Sequence, residues 1–350
     1  MLKSAAGAYD GFVGLMRFRL GGRAKTITAT WRPLMVSPIS RRTFVKESTL
    51  ASTGAALALG SAAASTPETQ KILLKGKLGD MEVSRLLLGG NLLTHYTHSR
   101  DLRYVYNLTA HYNTPEKILE TLALAEEHGV NTLVIHTVDA ALRVLQEHRR
   151  RGGKMQWIIC PTTPIEPDLV KYGEHVMRMV DDGVDSIYIW GVHADRMTGP
   201  QGIDLLGKAV DMVKANGVSC GIGAHLLDVI RQCEANKIRG DYYIKTLHHH
   251  NYQTGPKPGE TADDYREFPG YWCGLPDETV ELMKTVEKPW IAFKVMAAGA
   301  IPPEDAFRYA FAGGADFILA GMFDFEIAQD VRIAERTFAE TQDRRRPWRA

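Results

Sequence analysis

From residue 85 onward, short continuous apolar runs alternate with longer stretches whose apolar residues recur at helical spacing. The runs at 85–90, 131–135, 155–160, 185–190, 218–222, 242–247, 290–295 and 317–320 predict strands with both faces covered, since apolar residues run on without strict alternation. The stretches at 115–127, 140–148, 167–181, 202–215, 227–235, 278–286, 303–312 and 326–340 predict helices. In the first of these, Thr114 stands where a cap belongs and Pro115 at the first helical position, where a missing N–H leaves nothing unsatisfied. Glycine marks the helix-to-strand joints, as at Gly129, Gly183 and Gly217. Eight strand–helix units in residues 65–350 predict an α/β chain folded as a (β/α)8 TIM barrel. A doubly wound open sheet is the alternative.

A barrel gathers the C-terminal ends of its strands on one face, where barrel enzymes carry their sites. The two longest connections, 91–113 and 250–275, belong to that face. The first strand end supplies Asn91, His95, Tyr96, His98, Arg100 and Asp101. The second supplies His136 and Asp139, and the third only Pro161, Thr162 and Thr163. The fourth ends in His193 and Asp195, and the fifth in His225. The sixth carries Lys245 and the run His248-His249-His250, the seventh Lys294, and the eighth Asp324. Of 12 histidines, only His128, His148 and His175 fall on predicted helices or directly at their ends. That bias points to a histidine-rich site.

Neutral imidazoles suit a divalent transition metal, with His136, His193, His225, His248 and His250 as candidate ligands. They suit general acid–base work equally well. Strand alternation limits the triple run: His248 and His250 share a side, and His249 supports them from behind. By the same alternation only one of Lys245 and Thr246 faces inward. The candidate catalytic residues are His193, Lys294, His136, Tyr96 and Asp139, with Lys294 placed to polarise a carbonyl. Asn91, His95, His98, Arg100, Tyr252 and Trp272 are candidate substrate contacts. Tyr252, Tyr265, Phe268, Tyr271 and Trp272 form an aromatic loop suited to a lid or to stacking on a sugar. The pairs Gly221/Gly223 and Gly313/Gly314 predict barrel turns, and no P-loop is present.

Composition changes the picture mainly at the N-terminus. Residues 1–64 hold nine basic and two acidic residues, leaving 33 basic against 39 acidic, a net −6, for the rest. A mildly acidic folded part speaks against nucleic acid as a partner. Arg41-Arg42-Thr43-Phe44-Val45-Lys46 precedes a small-residue apolar run ending in Ala62-Ala63-Ala64. This is similar to a twin-arginine export signal and implies that export machinery as a partner, cleavage near Ala64, and a periplasmic or extracellular product. The apolar run is about 15 residues, too short for stable membrane insertion. Translation starting at Met35 would leave a leader of ordinary length. The expected organisation is therefore an extension with signal at 1–64 and one barrel domain at 65–350. Cys160, Cys220, Cys233 and Cys273 are widely spaced and show no metal or disulfide pattern.

Several segments resemble the aldo/keto reductase superfamily. Val83-Ser84-Arg85-Leu86-Leu87-Leu88-Gly89-Gly90-Asn91 is similar to its first barrel strand, and Gly129-Val130-Asn131-Thr132-Leu133 to its second. Val184-Asp185-Ser186-Ile187-Tyr188-Ile189-Trp190-Gly191-Val192-His193 resembles the fourth strand, ending in the family's active-site histidine. Ile291-Ala292-Phe293-Lys294-Val295-Met296-Ala297-Ala298-Gly299 and Ala320-Gly321-Met322 resemble the seventh and eighth. The resemblance implies a carbonyl reductase barrel using NADP. It also implies an Asp and a Tyr at the second strand end and a Lys at the third. Here those places hold His136, no tyrosine, and Cys160-Pro161-Thr162. The expected function is an exported barrel enzyme acting on a small carbonyl or carbohydrate by metal-dependent lyase, isomerase or hydrolase chemistry. The alternatives are a diverged NAD(P)-dependent oxidoreductase and a non-catalytic sugar-binding barrel.

Overall fold

The computed structural model describes residues 73–260, 266 and 268–350, so the predicted leader and Tyr265 lie outside the described residues. Among the described residues ten strands form: β1 (Lys75–Leu78), β2 (Met81–Ser84), β3 (Leu86–Gly89), β4 (Thr132–His136), β5 (Gln156–Cys160), β6 (Ser186–Ile189), β7 (Ser219–Ala224), β8 (Tyr242–Thr246), β9 (Trp290–Phe293) and β10 (Phe317–Ala320). Strands β3 to β10 pair in parallel and close on themselves, since β10 bonds both β9 and β3. The (β/α)8 barrel expected from the pattern is the fold.

The helices are α1 (Tyr104–Tyr112), α2 (Pro115–Glu127), α3 (Asp139–Arg150), α4 (Val170–Asp181), α5 (Gly191–Arg196), α6 (Pro200–Ala215), α7 (Leu227–Ala235), α8 (Pro276–Met283), α9 (Pro303–Ala312) and α10 (Asp324–Glu340). Among the described residues, no helix is long and apolar enough to cross a membrane. The hairpin β1–β2, the helix α1 within the first long loop and the six-residue α5 are additions to the expected elements.

Alternation sorts each strand. Leu87, Val134, Ile158, Tyr242, Ile244, Ile291 and Phe317 fill the barrel interior, where Leu78 and Val83 of the hairpin join them. Their neighbours in sequence, such as Leu86, Leu133, Ile159, Tyr243 and Ala292, belong to the larger cluster beneath the helices. Gly221 is a strand-interior position rather than the expected turn. A β-carbon there would lie 2.3 Å from the Tyr242 ring, so the glycine makes room for that ring inside the barrel. The Tyr242 hydroxyl lies 2.7 Å from Ser186 Oγ, which satisfies both in an otherwise apolar space.

The C-terminal segment fastens the opposite end of the barrel from the strand tips. Asp316, fully buried just before β10, accepts from Arg344 Nη2 (3.1 Å) and Arg346 Nη1 (2.7 Å). Arg346, also buried, donates further to the carbonyls of Met283, Gly314, Val286 and Lys288. Every donor of that guanidinium is engaged, which is the condition under which a buried charge is tolerated.

Candidate active site

A cavity of about 700 Å³ opens at the strand tips. Four side chains reach it by the alternation that fills the barrel. His136 follows Val134 by two positions on β4, and Trp190 follows Tyr188 beyond β6. His225 continues the Gly221, Gly223 series of β7, and Phe293 follows Ile291 on β9. Lys294 breaks this rule. Alternation would send it outward with Ala292, but its φ of +56° turns the chain and the side chain lines the cavity. Ala297 (φ +46°) and Ala298 (φ +53°) share the left-handed region. Non-glycine residues held there cost about 1 kcal/mol each, and such strain collects at functional segments.

The first long loop brings Asn91, Tyr96, His98 and Arg100 to the same cavity. Lys294 Nζ lies 2.6 Å from His98 Nε2, so the amino group donates to a neutral imidazole. Burial pushes His98 down to about 2, and the charges of Lys294, His225 and His136 act in the same direction. Trp272 is buried and flanks this pair, with Lys294 Nζ 4.5 Å from its ring centre and the His98 ring 5.0 Å away. The Trp272 carbonyl accepts from Thr246 Oγ1 at 2.9 Å, which ties the second long loop to β8. The Tyr96 ring stands edge-on to both His98 (5.5 Å) and His136 (5.7 Å).

His225 is the best-supported proton carrier of the group. Its Nδ1 lies 2.7 Å from Asp195 Oδ2, and both residues are buried. The other carboxylate oxygen accepts from the backbone N–H groups of His225 and Leu226, each at 3.0 Å. A carboxylate held by two amides cannot turn away, so it keeps the proton on Nδ1 and makes Nε2 the basic nitrogen. Burial lowers the pKa of His225, and Asp195 opposes that shift. Asp195 comes from α5, five residues past Trp190.

The other expected residues are placed elsewhere. His193 is on α5, buried with its ring 5.1 Å from Trp190, and does not line the cavity. Asp139 opens α3 in solvent, and His95 Nε2 lies 2.8 Å from the Asn113 carbonyl outside the cavity. The triple run does not reach the cavity, a correction to the expectation that it would. β8 ends at Thr246, so alternation stops before His248. His248 Nδ1 then meets the His249 carbonyl (3.1 Å), His250 Nε2 the Cys273 carbonyl (2.6 Å), and His249 Nε2 Asp305 (3.2 Å). The run fastens the loop that delivers Trp272. Tyr252 packs edge-on to His248 and does not line the cavity.

The expected metal ligands are therefore not brought together. Among the described residues, no three His, Cys, Asp or Glu side chains form a group that could hold a metal. The physical reason is that β8 stops short of His248 and that His193 lies in α5 rather than at a strand tip.

Five residues were given no role beforehand, although Asp195 stood among the polar strand ends. Asp195 could have been found as the acid two positions beyond His193, on the strand end beside that of His225. Tyr188 and Trp190 follow from the interior alternation of β6. Asp330, together with Glu326, lines the far end of the cavity from within α10, and its position on a predicted helix gave no signal.

No family model and no curated protein matches the chain. Among solved structures, two of a putative aldo-keto reductase from Pseudomona aeruginosa are similar at TM-score 0.51 and 15% identity, each match covering 78% of this chain and 99% of that one. At that identity the likeness shows the fold, here a closed barrel of the kind aldo-keto reductases use. A phospho-2-dehydro-3-deoxyheptonate aldolase from Thermotoga maritima is similar at TM-score 0.42 and 17% identity over 77% of this chain and 72% of that one.

Proposed function

We propose that the chain is a diverged aldo/keto reductase-type oxidoreductase that interconverts an alcohol and a carbonyl in a small hydroxylated substrate. In this reading its acid–base work has moved to new residues. The buried His225–Asp195 pair beside the Lys294 amine carries the reading. In the oxidation direction, neutral His225 takes the hydroxyl proton at Nε2, Asp195 holds the resulting imidazolium, and Lys294 steadies the oxygen. His98 keeps Lys294 aimed without competing for a proton, because it stays neutral across the working range.

A nicotinamide dinucleotide would supply the hydride chemistry. The cavity supports such a ligand in its extent, running from His136 and Lys294 past the loops after β9 and β10 to α10. Gly299, in the left-handed region at φ +77°, borders this stretch, and a β-carbon there would project into open space. Screening small hydroxy-carbonyl compounds and sugars with reduced and oxidised nicotinamide cofactors tests the proposal. Absence of turnover throughout, with no dinucleotide binding, would sink it.

A second reading is favoured by the completeness of the same three groups. Base, orienting carboxylate and electrophile suffice for proton abstraction beside a carbonyl, as in an isomerase or lyase, without a dinucleotide. Exchange of substrate C–H for deuterium from solvent, with no change in a nicotinamide cofactor, is its signature. The Arg41-Arg42 signal is the support for a further proposal, that the enzyme is exported through the twin-arginine machinery and works outside the cytoplasm.

A further inference from the structure

The end of the cavity away from His225 has the opposite chemistry. Asp330 is 4% exposed, lines the cavity, and has no cationic or hydrogen-bonding partner among the described residues. Glu326, one turn earlier on α10, lines it too. Glu326 Oε2 accepts from the Phe323 N–H at 2.9 Å, so the helix start already holds its own carboxylate where an anion would be received. The described basic side chains of the cavity are Arg100 and Lys294, which come from the first long loop and the turn after β9. Lys117, the lysine beside the first turn of α10, is engaged by Asp324 (3.1 Å) and Glu120 (2.7 Å).

We propose that Asp330 and Glu326 form an acidic subsite that rejects a phosphate and accepts hydroxyl donors, so that the cavity takes NAD(H) in preference to the NADP(H) implied by the resemblance. This rests on the oxidoreductase reading. A cofactor whose reactive ring lies near Lys294 extends its other arm toward α10. There two carboxylates repel a 2′-phosphate, whereas a ribose diol donates to them. The unpartnered Asp330 carboxyl is the group such a hydroxyl would satisfy.

The test is direct titration of the wild-type chain at pH 8.5, where both carboxyls are ionised, with NADH and with NADPH, read as quenching of the cavity tryptophans Trp190 and Trp272. NADH should bind at least about tenfold more tightly than NADPH. The double variant Glu326→Gln/Asp330→Asn should tighten NADPH binding and bring the two within about threefold. Asp330→Asn alone, whose shape is unchanged, provides the same direction of change should the double variant fold poorly. NADPH binding as tight as NADH, or a preference unmoved by either variant, overturns the acidic subsite while leaving the oxidoreductase reading standing. Failure of both cofactors to bind overturns that reading and the subsite with it.

Discussion

Replacing Asp330 by Asn removes a carboxyl that the fold holds in an unfavourable place. Burial, and then the nearby Glu326 charge, push Asp330 up from 3.8 to about 7. The sign follows from proton counting. Between those values the native state holds a proton that the unfolded chain has lost, so stability falls as pH rises through this window. Below pH 3.8 the residue costs nothing, and above about 7 the full cost is present. The displacement is worth about 4 kcal/mol at most, at about 1.4 kcal/mol per pH unit. At a cavity wall the effective dielectric is nearer 20 than 4, and about half of this is expected, about 2 kcal/mol. Asp330→Asn should therefore raise Tm by about 4–8 °C at pH 8, taking about 2–4 °C per kcal/mol, and leave it unchanged near pH 3.5. Thermal unfolding of both proteins across this range is the assay. A variant less stable than wild type at pH 8, or a difference independent of pH, would refute the placement of Asp330 as a buried, unpaired acid.

Three more expectations concern the barrel's base and its mouth. Asp316→Ala strips Arg344 and Arg346 of their carboxylate inside the fold and should cost about 3–5 kcal/mol in urea unfolding. A loss below about 1 kcal/mol would show that the carbonyl bonds of Arg346 suffice alone. The acid limb of kcat/KM in the oxidation direction should fall below pH 6.5, because burial lowers His225. Asp195→Asn should move that limb lower still and reduce kcat by about 10³ or more, since the carboxylate both orients the ring and supports its charge. A limb that ignores this substitution would detach Asp195 from the reacting proton.

Much of the fold is legible in the sequence because parallel strands covered on both faces leave long apolar runs. The helix α9 and the strand β10 match their predicted ranges, and α7 does as well. The hairpin β1–β2 escapes notice because each strand has four residues, too few to show a period. The site is legible as a list of polar strand ends, but not as a selection among them. His136 ends β4 and His225 directly follows β7, so the interior alternation carries both to the cavity. His248 and His193 do not reach it, because β8 and β6 end first and the chain turns into other structure. Lys294 depends on a left-handed backbone residue, which nothing in the local sequence announces. Asp195 stands among the polar strand ends, but its pairing with His225 becomes visible only when the tip of β7 stands beside α5.

The claim most in need of measurement is that chemistry centres on His225 and Lys294 rather than on the histidine that the family resemblance marks. With a substrate from the screen, kcat/KM is compared for wild type, His225→Asn, Lys294→Met and His193→Ala, each checked for folding by circular dichroism. The first two should lose about 10³-fold or more, as expected for the loss of a proton carrier or an oxygen-holding donor, and His193→Ala should stay within about tenfold of wild type. A severe loss in His193→Ala with His225→Asn still active would contradict the site described here.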